Sequence, residues 1–165
     1  MKKLLTLVLA IVMLLLINGV HAEEATDAIH VATIENGTVI PLSDNSIQVT
    51  YPSNWGIWIS TENHKLPDNT IVAFTNPEYT FTLSIAYNEF PVPAQLDEVA
   101  SELSSTFKNV QQLTINGIPF IYYEYEKNNV ACYSTNDSSG YSLYQFIFSP
   151  ASDASNRVVA QQIAS

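Results

Sequence analysis

The alternation that decides the fold lies in residues 79–87, which read Tyr79-Thr80-Phe81-Thr82-Leu83-Ser84-Ile85-Ala86-Tyr87. The residues at odd positions are aromatic or aliphatic, and those between them are small or hydroxylated. Because successive side chains of a strand point to opposite faces, this pattern predicts a strand with one face in the core. Residues 71–75 precede it across a short turn at Asn76-Pro77-Glu78, so the two segments predict a β-hairpin.

Further strands are predicted on both sides of this hairpin. Ile47, Val49 and Tyr51 alternate with polar residues, and a short extended run follows over residues 56–60. Asn116-Gly117 lies between two apolar runs and is typical of a two-residue hairpin turn. After the hairpin at 71–87, strands are predicted at residues 110–115, 119–126, 130–133 and 141–148.

Helical spacing replaces strand alternation after Pro91 and Pro93. Apolar residues then recur three or four positions apart, which predicts an amphipathic helix with one face on a sheet, at Leu96, Val99, Ala100, Leu103 and Phe107. A last helix is predicted near the C terminus, where Ser152 or Asp153 can cap it. The order of strands, helix, strands and helix predicts the α+β class, with an antiparallel sheet flanked by helices.

The N terminus carries the pattern of a secretory signal peptide. Met1-Lys2-Lys3 gives a positive start, and residues 4–17 are apolar apart from one threonine. Val20-His21-Ala22 then supplies the small-residue exit that signal peptidase requires, with cleavage after Ala22. The apolar run is shorter than the about 20 residues that span a bilayer, so a cleaved signal is favoured over a membrane anchor.

Cleavage after Ala22 divides the chain into three parts and changes its charge. We expect residues 1–22 to be a signal peptide, residues 23–36 a flexible lead-in, and residues 37–165 a single domain in the periplasm or the medium. Two lysines are lost with the signal, so four basic residues remain against 16 acidic ones and the formal charge moves from −10 to −12. Such a surface repels phosphate backbones and anionic lipids, so neither nucleic acid nor a membrane is expected as a partner.

Few residues suit catalysis or metal binding. After the signal, histidine occurs only as His30 and His64, and the single Cys132 is expected to be buried rather than paired with another molecule. A Cys132–His64 pair stays open as a nucleophile and its base, and Glu124 with Glu126 as an acid/base pair. A core cysteine and a solvated strand edge are expected instead. Because metal-ligand motifs, a phosphate-binding glycine loop and a Gly-x-Ser-x-Gly elbow are missing, we expect no enzyme, no cofactor and no metal.

Candidate partner-binding residues come from strand alternation. Ile57 and Ile59 are expected to point inward, so the side chain of Trp58 between them points outward. An exposed tryptophan can anchor a protein partner or a carbohydrate, with simple packing as the alternative. Glu124 and Glu126 are two residues apart on a predicted strand and share a face, where they would tune the rate of association.

Several short stretches resemble the PsbP-like domains. Residues 47–55, a strand running into Tyr-Pro-x-x-Trp, resemble the opening of these domains, and residues 96–100 lie where the domains place their first core helix. Residues 113–119 look like their hairpin turn, and the strand at 141–148 and the helix at 158–165 complete the order. The resemblance implies an α-β-α sandwich around a central antiparallel sheet. It also implies a non-catalytic role, because the better-known members act by binding or assembly.

Three functions stay open, and each requires a different surface. The leading one is an exported, non-catalytic PsbP-like domain that binds or helps assemble a protein partner, which needs an exposed apolar patch. A small-ligand carrier needs an enclosed apolar pocket between sheet and helix. A secreted hydrolase needs titratable groups that converge in a cleft.

Overall fold

The computed structural model describes residues 27–42 and 47–165. The predicted signal peptide, residues 1–22, lies outside the described residues. In the described ranges, no helix has the length and apolar content that crossing a bilayer requires. The elements are, in chain order, β1 (Asp27–Ile29), β2 (Gly37–Leu42), β3 (Ile47–Pro52), β4 (Gly56–Ile59), β5 (Thr70–Thr75), β6 (Thr82–Glu89), α1 (Leu96–Ser104), β7 (Lys108–Ile115), β8 (Ile118–Tyr125), the 3-10 turn Glu126–Asn128, β9 (Val130–Asn136), β10 (Ser142–Ser149) and α2 (Ala154–Ala164).

Most of these strands belong to one sheet. Among the described residues, eight strands form it in the order β1-β7-β8-β9-β10-β6-β5-β4, and β2 and β3 form a separate antiparallel pair. Every neighbouring pair in the large sheet is antiparallel except β1 and β7, which run parallel. The four strands predicted after residue 107 are therefore confirmed, and they lie side by side as β7, β8, β9 and β10.

The predicted hairpin is confirmed as β5 and β6, with a shorter second strand. That strand begins at Thr82, and Tyr79 lies instead in the turn, with a φ of 57° and a side chain that is 77 % exposed. The side-chain oxygen of Asn76 accepts hydrogen bonds from the backbone N–H groups of Thr80 and Phe81, at 2.9 and 3.0 Å. The turn is closed by this local bonding, so the strand cannot extend back to Tyr79.

The remaining signals for turns and helices are also confirmed. Asn116 and Gly117 join β7 to β8 with φ values of 46° and 86°, the positive values that a type I′ turn requires. The amphipathic segment forms α1 and buries Val99. Asp153 caps α2, because its carboxylate accepts a hydrogen bond of 2.8 Å from the backbone N–H of Ser155.

One face of the large sheet, which we call the core face, carries the larger hydrophobic core. The pair β2–β3 and helix α2 cover it. Tyr51 of β3 packs against Phe74 of β5 with ring centroids 4.8 Å apart, and Trp55 packs against Phe81 at 5.2 Å. These aromatic contacts join the two-stranded layer to the sheet and exclude water between them.

The opposite face, which we call the α1 face, is covered only in part. α1 packs on β7 and β8, and Phe107 beyond its end stacks on Tyr123 with ring centroids 5.0 Å apart. Over β6, β5 and β4 this face is open, since Ser84 and Ala73 are half-buried and Trp58 is exposed. The α+β class is thus confirmed. The expectation of helices flanking the sheet on both faces is wrong in part, because a strand pair replaces a helix over much of the core face.

Residues 27–36 are held against the domain, although their acidic, aperiodic sequence predicts a flexible lead-in. Asp27–Ile29 pair with β7, whose outer edge would otherwise have unpaired backbone groups. Asn116 then bonds to Val31 twice, accepting from its N–H and donating to its carbonyl at 3.1 Å each. The expectation of flexibility is therefore wrong for this part of the lead-in.

Candidate functional site

The strand β4 is the terminal strand of the large sheet and brings Trp58 to its edge. It pairs with β5 on one side, where Trp58 lies opposite Ala73, and no described strand pairs along its other side. Trp58 is 46 % exposed and points to the α1 face as predicted. Ile57 packs against the core as predicted, but Ile59 is 52 % exposed. Ile59 points to the core face, opposite Val72, as predicted, but it is not buried there, because an outermost strand has a packing neighbour on one side only.

The indole of Trp58 lies along its own strand, over Gly56. A Cβ atom placed on Gly56 would come within 3.5 Å of Cη2 and 3.8 Å of Cζ3 of the Trp58 ring. These distances are ordinary van der Waals contacts, so the ring packs alongside Gly56. None of the described residues accepts a hydrogen bond from the indole N–H. Trp58 thus presents an apolar surface together with a free donor, a combination enriched at protein interfaces.

The backbone on the outer side of β4 also lacks partners among the described residues. The N–H of Ser60 donates to the carbonyl of Ile71 at 2.8 Å, so the bonding groups of even-numbered residues face β5. The N–H and C=O groups of Ile57 and Ile59 consequently point away from the sheet. β4 carries no charge, proline or bulge, which are the features that shield edge strands from pairing with other chains.

The α1 face beside Trp58 is uncharged as well. Residues that lie opposite one another on neighbouring strands form a row across the sheet. The row of Trp58 contains Ala73 on β5, Ser84 on β6 and Ile147 on β10. No residue that β5, β6 or β10 directs to this face is ionisable, although the chain has 16 acidic residues. Interface centres are depleted of charge and enriched in aromatic residues, so Trp58 and the lack of charge around it fit a docking surface.

Glu124, the second candidate, lies in a hydrogen-bonded network on the core face. Its carboxylate accepts hydrogen bonds from the hydroxyl of Tyr122 and from Nδ2 of Asn109, the latter at 2.6 Å, and its Oε1 lies 3.3 Å from Arg157. Partial burial opposes ionisation, but the two hydrogen bonds and the charge of Arg157 outweigh it and lower the pKa of Glu124. The carboxylate is thus engaged by three groups of the protein.

Arg157, the chain's single arginine, connects this network to α2 and is the residue that sequence reasoning missed. Its guanidinium lies over the ring of Tyr122, 5.1 Å from the centroid, and its side chain is 43 % exposed. Arg157 and Glu124 are 33 residues apart, so no local pattern pairs them. The one available signal was compositional, because a lone arginine in an acidic chain often has a carboxylate partner.

Glu126, the third candidate, does not continue the strand. β8 ends at Tyr125, and Glu126 begins the 3-10 turn Glu126–Asn128. The side chain of Glu126 lies outside the described part of the structure. The expectation that Glu124 and Glu126 sit on one strand face is therefore wrong.

The candidates do not form one surface. Trp58 lies on the α1 face of the terminal strand, whereas Glu124 lies on the core face of β8, with four strands between them. The row of Glu124 runs across the sheet through Ala131, Phe148, Leu83, Phe74 and Ile57. Because this row reaches Ile57 and not Trp58, the two side chains point in opposite directions.

Cys132 is buried in the smaller core under α1, as predicted. Its Sγ lies 3.4 Å from Oγ of Ser134, and burial raises the pKa of the thiol to about 11. His64 is exposed in the loop after β4, where its backbone exchanges hydrogen bonds with Thr61. Cys132 and His64 therefore do not form a nucleophile and base pair, since the thiol contacts Ser134 and the thiolate is disfavoured.

A groove between α1 and β7 is the candidate for a ligand site. It has a volume of about 500 Å³, and most of its lining residues are polar or charged, including Asp27, Asp97 and Ser101. Carriers of small ligands use enclosed, largely apolar pockets, so this open polar groove does not fit that role. In residues 27–42 and 47–165, no three His, Cys, Asp or Glu side chains cluster closely enough to hold a metal ion.

The fold is similar to that of a solved structure. The solution structure of cyanobacterial PsbP (CyanoP) from Synechocystis sp. PCC 6803 matches with a TM-score of 0.56 and 15 % sequence identity, covering 79 % of this chain and 91 % of that chain. No family model and no curated protein matches the sequence. At this identity the likeness shows the fold, and it confirms the PsbP-like fold that the short sequence stretches imply.

Proposed function

We propose that this chain, whose fold is PsbP-like, is an exported, non-catalytic domain that binds a protein partner or helps it assemble outside the cytoplasm. One observation carries the proposal: Trp58 and Ile59 are adjacent, 46 % and 52 % exposed, on an uncharged terminal strand. Full burial of a large apolar side chain is worth about 1.5–3 kcal/mol. Because about half of each side chain is exposed, a partner that covers the pair gains about 1.5–3 kcal/mol in total, so the pair can serve as an anchor within a larger interface.

Two further points support a binding role. The PsbP-like domains that the sequence resembles act by binding or assembly in their better-known members. In addition, two of the ionisable groups considered for catalysis are engaged or disfavoured, since Glu124 is paired with Arg157 and the pKa of Cys132 is raised. The carrier and hydrolase alternatives have less support, because the groove at α1 is polar and open.

Export rests on the signal-peptide pattern of residues 1–22. A mature chain that begins at Glu23 would reach the periplasm or the medium with a formal charge of −12. Its partner is then expected to be another extracytoplasmic protein. The strong negative charge disfavours nucleic acid and anionic membranes as partners.

The test compares capture of host proteins by tagged residues 23–165 and by its Trp58→Ala variant. We expect Trp58→Ala to weaken capture about tenfold, equivalent to about 1.4 kcal/mol, with little change in the melting temperature. Tyr141→Ala is the matched control, because Tyr141 is 47 % exposed and lies away from β4. Undiminished capture by Trp58→Ala would contradict the proposal. A much lower melting temperature would place Trp58 in the core and contradict it equally.

A further inference from the structure

We propose that the partner adds an extended strand to the outer side of β4, so that its backbone continues the eight-stranded sheet. Side chains of the added strand then contact Trp58 on the α1 face and Ile59 on the core face. This inference rests on the proposed function and states the form of the contact.

The placement of the two exposed side chains favours an element alongside β4. Trp58 and Ile59 are adjacent in sequence and therefore lie on opposite faces of the sheet. A helix or a flat surface docked on one face would cover one of them and leave the other in water. A strand paired along the edge extends both faces at once and contacts both residues.

The backbone of β4 provides the hydrogen bonds for such a strand. Ile57 and Ile59 direct their N–H and C=O groups outward, because the register with β5 uses the groups of the even-numbered residues. An added strand lies about 4.8 Å away and can accept from and donate to both residues. Backbone pairing makes the contact tolerant of the partner's sequence, while Trp58 and Ile59 select its side chains.

The other free strand edges of the described chain carry a charge or a proline, and β4 carries neither. β1, three residues long against four in β4, carries the charge of Asp27. β2 contains Pro41 and β3 ends with Pro52, and proline lacks the N–H that pairing requires. The residues of β4 include neither a charge nor a proline. Natural proteins shield their edges against unwanted pairing, so one open edge among shielded ones indicates a used edge.

The charges around β4 indicate the chemistry of the partner strand. Glu62 follows β4 in the loop that also holds Lys65 and Asp68, and Glu78 lies in the turn between β5 and β6, beyond the first residue of β4. The centre of the edge is thus apolar, and its two ends are acidic overall. A strand with apolar residues at alternate positions and basic residues at its ends fits this pattern. A second copy of the chain fits poorly, because two chains with a formal charge of −12 repel each other.

The probe is a short synthetic peptide of alternating valine and threonine with two lysines at each end. We expect it to slow the exchange of the backbone amides of Ile57 and Ile59 in residues 23–165, measured by NMR. A peptide with glutamates in place of the lysines is expected to bind at least tenfold more weakly. Equal protection by both peptides, or none by the lysine peptide, would overturn the proposal.

Two substitutions at one position test the backbone directly. Ile59→Ala removes the isoleucine side chain and keeps the outward N–H group. Ile59→Pro removes the isoleucine side chain and the outward N–H group, and it leaves the backbone hydrogen bonds between β4 and β5 in place. We expect Ile59→Pro to bind the lysine peptide at least tenfold more weakly than Ile59→Ala, at similar melting temperatures. Equal binding by the two variants would show that side chains alone make the contact.

Capture of host proteins separates this inference from the proposed function. If Trp58→Ala leaves capture unchanged, whatever Ile59→Ala does, the proposed function itself fails. If both weaken capture and Ile59→Pro is no worse than Ile59→Ala, strand addition alone fails. A dimer of residues 23–165 in light scattering, lost in Ile59→Pro, would show that a second copy takes the edge and would also overturn the proposed partner.

Discussion

Trp58 and Glu124 lie on opposite faces of one eight-stranded sheet, on the terminal strand and on the third strand from the other end. The surroundings of the two side chains also differ. Trp58 is bordered by uncharged residues and open solvent, whereas Glu124 accepts hydrogen bonds from Tyr122 and Asn109 and pairs with Arg157. Trp58 is therefore a candidate for docking, and Glu124 is a structural residue that joins β8 to α2.

The role of Glu124 predicts a loss of stability on substitution. Glu124→Gln removes the charge that Tyr122, Asn109 and Arg157 bind, and we expect the free energy of unfolding at pH 7 to fall by about 1–2 kcal/mol. Chemical denaturation measures this change. Capture of a partner through Trp58 should be unaffected, since the two residues lie on opposite faces. Weaker capture without a loss of stability would instead assign Glu124 to the docking surface.

The lowered pKa of Glu124 predicts the pH dependence of this stabilisation. A carboxyl whose pKa is lower in the folded than in the unfolded chain contributes stability above the unfolded value, and the contribution is lost as pH falls through the folded value. The difference in unfolding free energy between the wild type and Glu124→Gln should therefore be constant near neutrality. It should shrink from the usual glutamate pKa of about 4.3 downward. Denaturation series at several acidic pH values check this, and a difference that grows in acid would contradict it.

The ion pair between Glu124 and Arg157 predicts energetic coupling. A double-mutant cycle of Glu124→Gln with Arg157→Ala should give a coupling of about 0.5–1 kcal/mol, since the arginine side chain is 43 % exposed and solvent screens the pair. Val158→Ala is the matched control on α2, because Val158 is 49 % exposed and outside the network. Its coupling to Glu124→Gln should be near zero. Equal coupling in the two cycles would mean that the network does not depend on Arg157.

Burial of Cys132 predicts an inert thiol. Thiol reagents should label the native protein only as fast as it unfolds, because the side chain is fully buried and its pKa is raised to about 11. Cys132→Ser should lower the free energy of unfolding by about 1–3 kcal/mol, near the lower end if Ser134 accepts from the new hydroxyl. Rapid labelling of native protein by a thiol reagent would contradict this prediction.

The signal-peptide pattern predicts where the mature protein begins. Val20 and Ala22 occupy the positions that signal peptidase reads, so the exported product should start at Glu23. N-terminal sequencing of protein recovered from the periplasm or the medium measures this directly. A membrane-bound product that retains Met1 would show that residues 1–22 act as an anchor.

Sequence periodicity by itself determined most of the secondary structure and the α+β class. The β5–β6 hairpin, α1, the Asn116-Gly117 turn and the Asp153 cap each depend on residues close together in the chain. Backbone conformation at such sites follows from side-chain spacing and local hydrogen bonds, so a linear pattern is sufficient. The same alternation predicted correctly that Trp58 points away from the core.

Only the tertiary structure decided which residues are neighbours and which edge is open. Alternation assigns the side chain of Ile59 to the core face, but this side chain is exposed because β4 is the terminal strand of the sheet. The order of strands depends on pairing between segments that are distant in the sequence. The parallel docking of Asp27–Ile29 and the pairing of Glu124 with Arg157 arise in the same way, across 86 and 33 residues. The conformational preferences of neighbouring residues carry no information about such long-range contacts. These contacts stabilise the protein only once the distant segments have come together.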